Sequence, residues 1–264
     1  MNPAVDHGEG TYRGHEKLLD RAAIVTGADS GIGRAVALAF AREGADVLIA
    51  YLSEHEDAAA TERLVTETGR RALRMDGDIR DEGHCRALVG RAMETFGRLD
   101  ILVNNAGYQQ VQQRIEDISA EQLDRTFRTN VYAMFYLCKA ALPTMKPGAS
   151  IINTASIESF RPDPYLLDYA ASKCAIVGFT KALAQEALSR RGVRVNAVAP
   201  GAVWTPFIPS GFPADQVKQF GGTPPYGRPA QPAEMAPLYV WLASPEASYV
   251  AGEVFGATGG EMPY

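Results

Sequence analysis

Ala22-Ala23-Ile24-Val25-Thr26-Gly27-Ala28-Asp29-Ser30-Gly31-Ile32-Gly33 joins a short apolar run to a cluster of glycines, and a helical pattern follows over 34–43. The apolar run reads as a buried strand. Glycines between a strand and a helix let the main chain turn sharply and approach a pyrophosphate, whose charge then meets free N–H groups and the positive end of the helix dipole. Gly27, Gly31 and Gly33 are therefore candidates to line an anionic ligand, while Thr26 reads as a hydroxyl that stabilises the turn. The spacing TGxxxGxG differs from the GxGxxG fingerprint, so a plain tight turn stays open as an alternative.

Outward from this stretch, short apolar runs alternate with longer amphipathic ones. Strands are expected over 46–51, 72–75, 100–104, 150–154, 193–198 and 253–256, and helices over 54–68, 81–96, 119–142, 165–189 and 232–243. The 119–142 helix opens on a Ser119-x-x-Gln122 cap signal. Strict β–α alternation implies an α/β fold, one doubly wound parallel sheet with helices on both faces. Nothing in the pattern divides it, so residues 18–264 are expected to form one domain preceded by an extended arm, 1–17. A Pro- and Gly-rich interval at about 204–232, carrying Trp204, Phe207, Ile208, Phe212, Phe220 and Tyr226, reads as a lid over an apolar pocket.

Composition narrows the function classes. With 264 residues and 46% hydrophobic content the chain can bury one substantial core, and a net charge of −5 without a basic stripe argues against nucleic acid. Cys85, Cys138 and Cys174 are too widely spaced for metal pairs and fit reduced thiols in the cytoplasm. The polar N-terminal segment lacks the apolar region of a signal peptide, and no apolar run approaches a membrane span.

The second chemical stretch runs from Ser156 to Lys173. Tyr169 and Lys173 stand four residues apart at the start of an expected helix and so share one face. A neighbouring ammonium is expected to lower the tyrosine pKa from about 10 toward the range where it can take and return a proton. Ser156 would then hold a substrate oxygen against Tyr169. Cys174 lies about 100° around the helix from Lys173 and reads as core. Gln109, Gln110, Glu158, Arg161 and Tyr165 are expected around the same pocket, with Arg161 either an anchor for a carboxylate or, as its neighbouring acids Glu158 and Asp163 favour, in a surface ion pair.

Taken together, Thr26-Gly27-x-x-x-Gly31-x-Gly33, Asn104-Asn105-Ala106-Gly107, Asn130, Ser156, Tyr169-x-x-x-Lys173 and Pro200-Gly201 resemble the short-chain dehydrogenase/reductase family in order and spacing, over nearly the whole chain. Asp6-His7-Gly8-Glu9, the 51–57 segment and Gly259-Gly260-Glu261 resemble its branch of bacterial aldehyde reductases and general-stress oxidoreductases.

The resemblance implies a Rossmann-like fold and a hydride transfer between a nicotinamide dinucleotide and a carbonyl or alcohol. It implies a catalytic set of Asn130, Ser156, Tyr169 and Lys173, with Asn130 holding a water and Lys173 also binding the nicotinamide ribose. Gly27, Asp29, Ser30, Gly31, Ile32 and Gly33 would meet the pyrophosphate side, and Tyr51, Leu52 and Ser53 the adenosine ribose. Asp78 and Ile79 would border the adenine, Asn105, Ala106 and Gly107 the ribose side, and Pro200, Gly201, Val203 and Thr205 the nicotinamide. No carboxylate ends the second strand, which slightly favours NADP(H) over NAD(H). A homotetramer through the 119–142 and 165–189 helices is implied as well, because their apolar content exceeds one buried stripe. The alternative is a catalytically idle dinucleotide-binding sensor or scaffold on the same fold.

Overall fold

The computed structural model describes residues 1, 3–211, 217, 220–222 and 224–261. Seven strands form one parallel sheet in the order β3-β2-β1-β4-β5-β6-β7. They are β1 (Ala22–Thr26), β2 (Asp46–Tyr51), β3 (Ala72–Asp76), β4 (Ile101–Asn104), β5 (Ser150–Thr154), β6 (Arg194–Pro200) and β7 (Val254–Ala257). The strand order reverses between β1 and β4, where the carboxyl ends of the strands open a crevice.

The helices whose bounds lie among the described residues are α1 (Gly31–Arg42), α2 (His55–Thr66), α3 (Glu82–Phe96), α4 (Ala120–Phe127), α5 (Ala133–Ala141), α6 (Leu167–Arg191), α7 (Phe207–Gly211) and α8 (Pro232–Ala243). Successive strand residues feed opposite layers. Ala23 and Val25 of β1 pack with α1, α2 and α8, whereas Ala22 and Ile24 pack with α3, α5 and α6. Both faces are thereby covered, and every residue of β1, β2, β4, β5 and β6 is buried.

One expected element is divided. The 119–142 helix is α4, a π-helical turn at Arg128–Tyr132, then α5. Helical periodicity cannot reveal one residue inserted into a turn, and such insertions gather at functional sites.

Residues 3–17 lie against the domain. Trp204 Nε1 donates to the Pro3 carbonyl (3.0 Å), Ala233 N to the Asp6 carbonyl (3.1 Å), and Arg42 to the Gly8 and Tyr12 carbonyls (2.6 Å each). The buried Glu43 carboxylate accepts from Tyr12 Oη (2.6 Å), His15 N (2.8 Å) and Lys17 N (3.0 Å). Among the described residues, no helix is long and apolar enough to cross a membrane.

Candidate active site

Tyr169 and Lys173 emerge one turn apart near the start of α6, both buried. The Lys173 ammonium donates to the main-chain carbonyl of Thr154, at the end of β5, over 2.7 Å. Thr154 is itself fixed, its hydroxyl hydrogen-bonded to Tyr239 Oη of α8 at 2.9 Å. Ser156 opens the short turn Ile157–Ser159, where its hydroxyl accepts from Glu158 N at 3.2 Å and lies near enough to Tyr169 to lower the phenol's pKa. Two elements that meet only in the fold thus bring these side chains together.

The structure reverses the acidity expected from the helical spacing. Burial pushes the Tyr169 phenol above its usual pKa, only partly countered by the Ser156 hydrogen bond, and burial pulls Lys173 down to about 7. Removing a charge from water costs more than the neighbour returns, so both groups are driven toward their neutral forms.

Asn130 lies in the π-turn and is buried, although an asparagine inside a helix usually faces solvent. Its side chain accepts from Tyr108 N (2.7 Å) and donates to the Tyr108 carbonyl (2.9 Å) and Ser172 Oγ (2.9 Å). The residue locks the loop after β4 to α6 and does not line the cleft beside Tyr169.

That cleft encloses about 1000 Å³ and runs from the glycine turn to Tyr169. Gly27, Asp29, Ser30, Gly31, Ile32, Tyr51 and Leu52 line one part, with Asp78 and Ile79. Asn105, Ala106, Gly107, Tyr169, Lys173, Pro200, Gly201, Val203 and Thr205 line the rest. Gly33 and Ser53 do not. A Cβ on Gly33 would fall 2.0 Å from the Gly27 carbonyl oxygen, so this glycine lets α1 dock on the turn, and the Ser53 hydroxyl turns to Glu54 at 3.1 Å. Thr26 Oγ1 accepts from Asn105 N (2.9 Å) and Ala106 N (3.0 Å), tying the turn to the loop after β4. The Asn104 amide reaches Asn153 on β5 at 2.8 Å and holds the middle of the sheet.

A dinucleotide fits these residues. Gly27 (φ +63°) and Gly31 (φ +51°) adopt the left-handed conformation, and a Cβ on them would crowd Ala106 and Thr205, each at 3.1 Å. Ser30 makes no side-chain cap on α1, its hydroxyl donating instead to Asp29 at 2.9 Å, so N–H groups at the start of α1 remain for an anion.

Toward the far end the lining becomes mixed, where the sequence suggests an apolar pocket. Phe207, Ile208, Phe220 and Tyr165 are joined there by Gln109, Glu158, Arg161, Asp163 and Glu261. Phe207 packs near Tyr169, with ring centres 6.3 Å apart. Gln110 lies outside the lining and takes the Tyr108 hydroxyl at 2.6 Å. The ion-pair partner of Arg161 is Glu261 at 3.9 Å, which loop proximity alone does not reveal. Trp204 is buried toward the arm, Tyr226 is exposed, and Phe212 lies outside the described residues, as do Met262, Pro263 and Tyr264. Cys174 is exposed, its thiol 3.3 Å from the Ser159 carbonyl, rather than core.

A family model described as Enoyl-(Acyl carrier protein) reductase matches residues 27–261. The chain belongs to the short-chain dehydrogenase/reductase family. This family member is 50% identical to general stress protein 39 of Bacillus subtilis, over 99% of this chain and 91% of that one. It is 41% identical to a chloroplastic protein of Arabidopsis thaliana named NADPH-dependent aldehyde reductase 1, over 99% of this chain and 93% of that one. Among solved structures, a short-chain dehydrogenase of Burkholderia cenocepacia J2315 in complex with NADP superposes with a TM-score of 0.86 at 34% identity, covering 92% of this chain and 98% of the other. As a short-chain dehydrogenase/reductase with relatives of these kinds, the protein is an NAD(P)-dependent oxidoreductase acting on a small molecule.

Proposed function

We propose that the protein interconverts a carbonyl compound, an aldehyde above all, and its alcohol, with Tyr169 as the acid/base. The observation that carries this reading is the convergence of Tyr169, Ser156 and Lys173 on the cleft that the glycine turn also lines. When bound, the nicotinamide supplies the hydride or accepts it, chemistry that no side chain provides. Ser156 holds the substrate oxygen by a hydrogen bond, and Tyr169 Oη gives its proton to that oxygen in reduction and takes it back in oxidation. Burial keeps the phenol protonated at neutral pH and favours its role as a donor. Lys173, anchored on the Thr154 carbonyl, supports the phenolate left after proton transfer, and Asn130 keeps the loop after β4 in register with α6.

NADP(H) is slightly favoured over NAD(H). Tyr51 ends β2 and the exposed Leu52 follows, so no carboxylate there repels a 2′-phosphate, and the names of the plant relative and the Burkholderia structure support the same choice. Asp29 and Glu54 line this end, while the cation Arg34 is engaged by Asp57 and the Asp29 main chain. These acids keep the preference small.

The reading extends to organisation: an arm at 1–17, a catalytic domain at 18–264, a lid at about 204–232, and a cytoplasmic homotetramer. The parallel bridge between Val203 and Ala230 closes the base of the lid. Leu123, Tyr132, Phe135 and Leu188 are exposed on the long helices, with the Phe135 ring packed at a tilt against Phe179, centres 4.3 Å apart, which supports a partner surface there. The test is turnover of aldehydes, ketones and alcohols, followed by the absorbance of NADPH and NADH. Aldehyde-dependent oxidation of NADPH, at a kcat/KM no more than about tenfold above that with NADH, is expected. Cofactor binding without turnover of any carbonyl or alcohol would sink the reading.

A further inference from the structure

We infer that the substrate is a neutral carbonyl compound bearing hydroxyl groups beside the carbonyl, recognised by Gln109 as hydrogen-bond donor and Glu158 as acceptor. This deepens the proposed carbonyl reduction and rests on it.

Gln109 lines the cleft and is only 7% exposed, yet its Nε2 makes no hydrogen bond among the described residues. The loop that carries it is held on both sides. Tyr108 is bonded through N and O to Asn130, at 2.7 and 2.9 Å, and Val111 N donates to the Gly211 carbonyl at 3.3 Å. Gly211, the last residue of α7, leaves the room: a Cβ there would fall 3.0 Å from Gln109 Cγ and 3.4 Å from Nε2. A buried amide donor without a partner is costly, and its persistence in a cleft points to a ligand that completes it.

Glu158 supplies the complementary group. Its main chain donates to Ser156 Oγ at 3.2 Å, so it belongs to the same turn as the serine that faces the substrate oxygen. One carboxylate oxygen accepts Asp163 N at 2.6 Å, and the other makes no hydrogen bond among the described residues. A hydroxyl group both accepts from an amide and donates to a carboxylate, whereas an alkyl or aryl aldehyde leaves the buried amide donor unsatisfied. Charge excludes anionic relatives of such a compound. Asp163 and Glu261 line the same end, and the nearby cation Arg161 is paired with Glu261. Repulsion by these acids disfavours phosphorylated or carboxylated substrates.

Glyceraldehyde and propanal have the same carbon chain and differ by two hydroxyls, so the ratio of their kcat/KM values with NADPH reads the contribution of those groups. The full-length wild type is expected to favour glyceraldehyde by about a hundredfold or more, since a site built to hydrogen-bond a hydroxyl rejects the analogue that lacks it. Gln109→Met, which keeps length and loses the donor, is expected to lower that ratio by about tenfold. Gln109→Glu, which keeps polarity but replaces the donor with an acceptor, is expected to lower it at least as far. Glu158→Gln should lower it too. Thermal melting and NADPH titration establish that each variant folds. A ratio near one in the wild type, or an undiminished ratio in both Gln109 variants, overturns the inference. Propanal reduced without discrimination removes this inference alone, whereas turnover of no carbonyl removes the reductase reading with it.

Discussion

Lys173 and Tyr169 share one face of α6, with the lysine nitrogen 5.4 Å from the centre of the tyrosine ring. The pair makes stability depend on pH in a defined direction. Lys173 loses its proton above about pH 7 in the folded chain, but keeps it to about 10.4 once unfolded. Between those values the unfolded chain binds more protons, so raising the pH favours folding; below about 7 both states are charged and the burial cost is felt in full. The stability difference between wild type and Lys173→Met, measured by denaturant titration without cofactor, is expected to climb from pH 7 to 9 by up to about 1.4 kcal/mol per pH unit. A flat difference would mean that Lys173 stays charged throughout.

Tyr169→Phe removes only the buried hydroxyl whose acidity Ser156 raises. Loss of a positioned acid costs roughly a hundred- to ten-thousandfold in rate. Aldehyde reduction is expected to fall within that range in kcat, while NADPH titration still gives saturable binding. An undiminished rate would move the acid/base role to another group.

Gly33→Ala tests the docking of α1 on the glycine turn. The added methyl would meet the main-chain oxygen of Gly27 at 2.0 Å, where no flexible side chain can give way. Shifting the helix is expected to cost about 1–3 kcal/mol of stability and to weaken NADPH binding, because the N–H groups at the start of α1 move with it. Unchanged melting and an unchanged NADPH Kd would contradict the packing role.

Much of the fold was readable because its signals are local. The apolar run 22–26, the glycine turn and the helix behind it form a unit whose parts agree, and β–α alternation then implies a parallel sheet. Ser156, Tyr169 and Lys173 were readable for a related reason: two lie one helical turn apart and the third follows the strand before it. What escaped depends on partners distant in sequence. The π-turn around Asn130 leaves no mark on a helical pattern, and only the fold joins that residue to Tyr108 and Ser172. Tyr239 reads as an ordinary core residue of α8 until its hydroxyl is found on Thr154. The rise in the Tyr169 pKa escaped as well, because spacing reports a neighbouring charge and not the depth of burial.

The arm offers the last test, through the buried carboxylate of Glu43. Burial alone would raise its pKa, but hydrogen bonds from Tyr12, Lys17 and His15, with the charge of Lys17, outweigh burial and hold it below the usual value. A group whose folded pKa is depressed stabilises the fold above the ordinary carboxylate range, and that contribution is lost as pH falls through the folded value. Tyr12→Phe removes a 2.6 Å hydrogen bond to this carboxylate and is expected to cost about 1.5–3 kcal/mol at neutral pH. Glu43→Gln weakens the contacts that fasten the arm near residues 12, 15 and 17 to the end of α1. Denaturant titrations of the wild type, Tyr12→Phe and Glu43→Gln at neutral pH and at pH 3 read both expectations, with the gap between wild type and Glu43→Gln narrowing toward the acid end. A deficit of equal size at both pH values would show that the carboxylate's charge has no part in holding the arm.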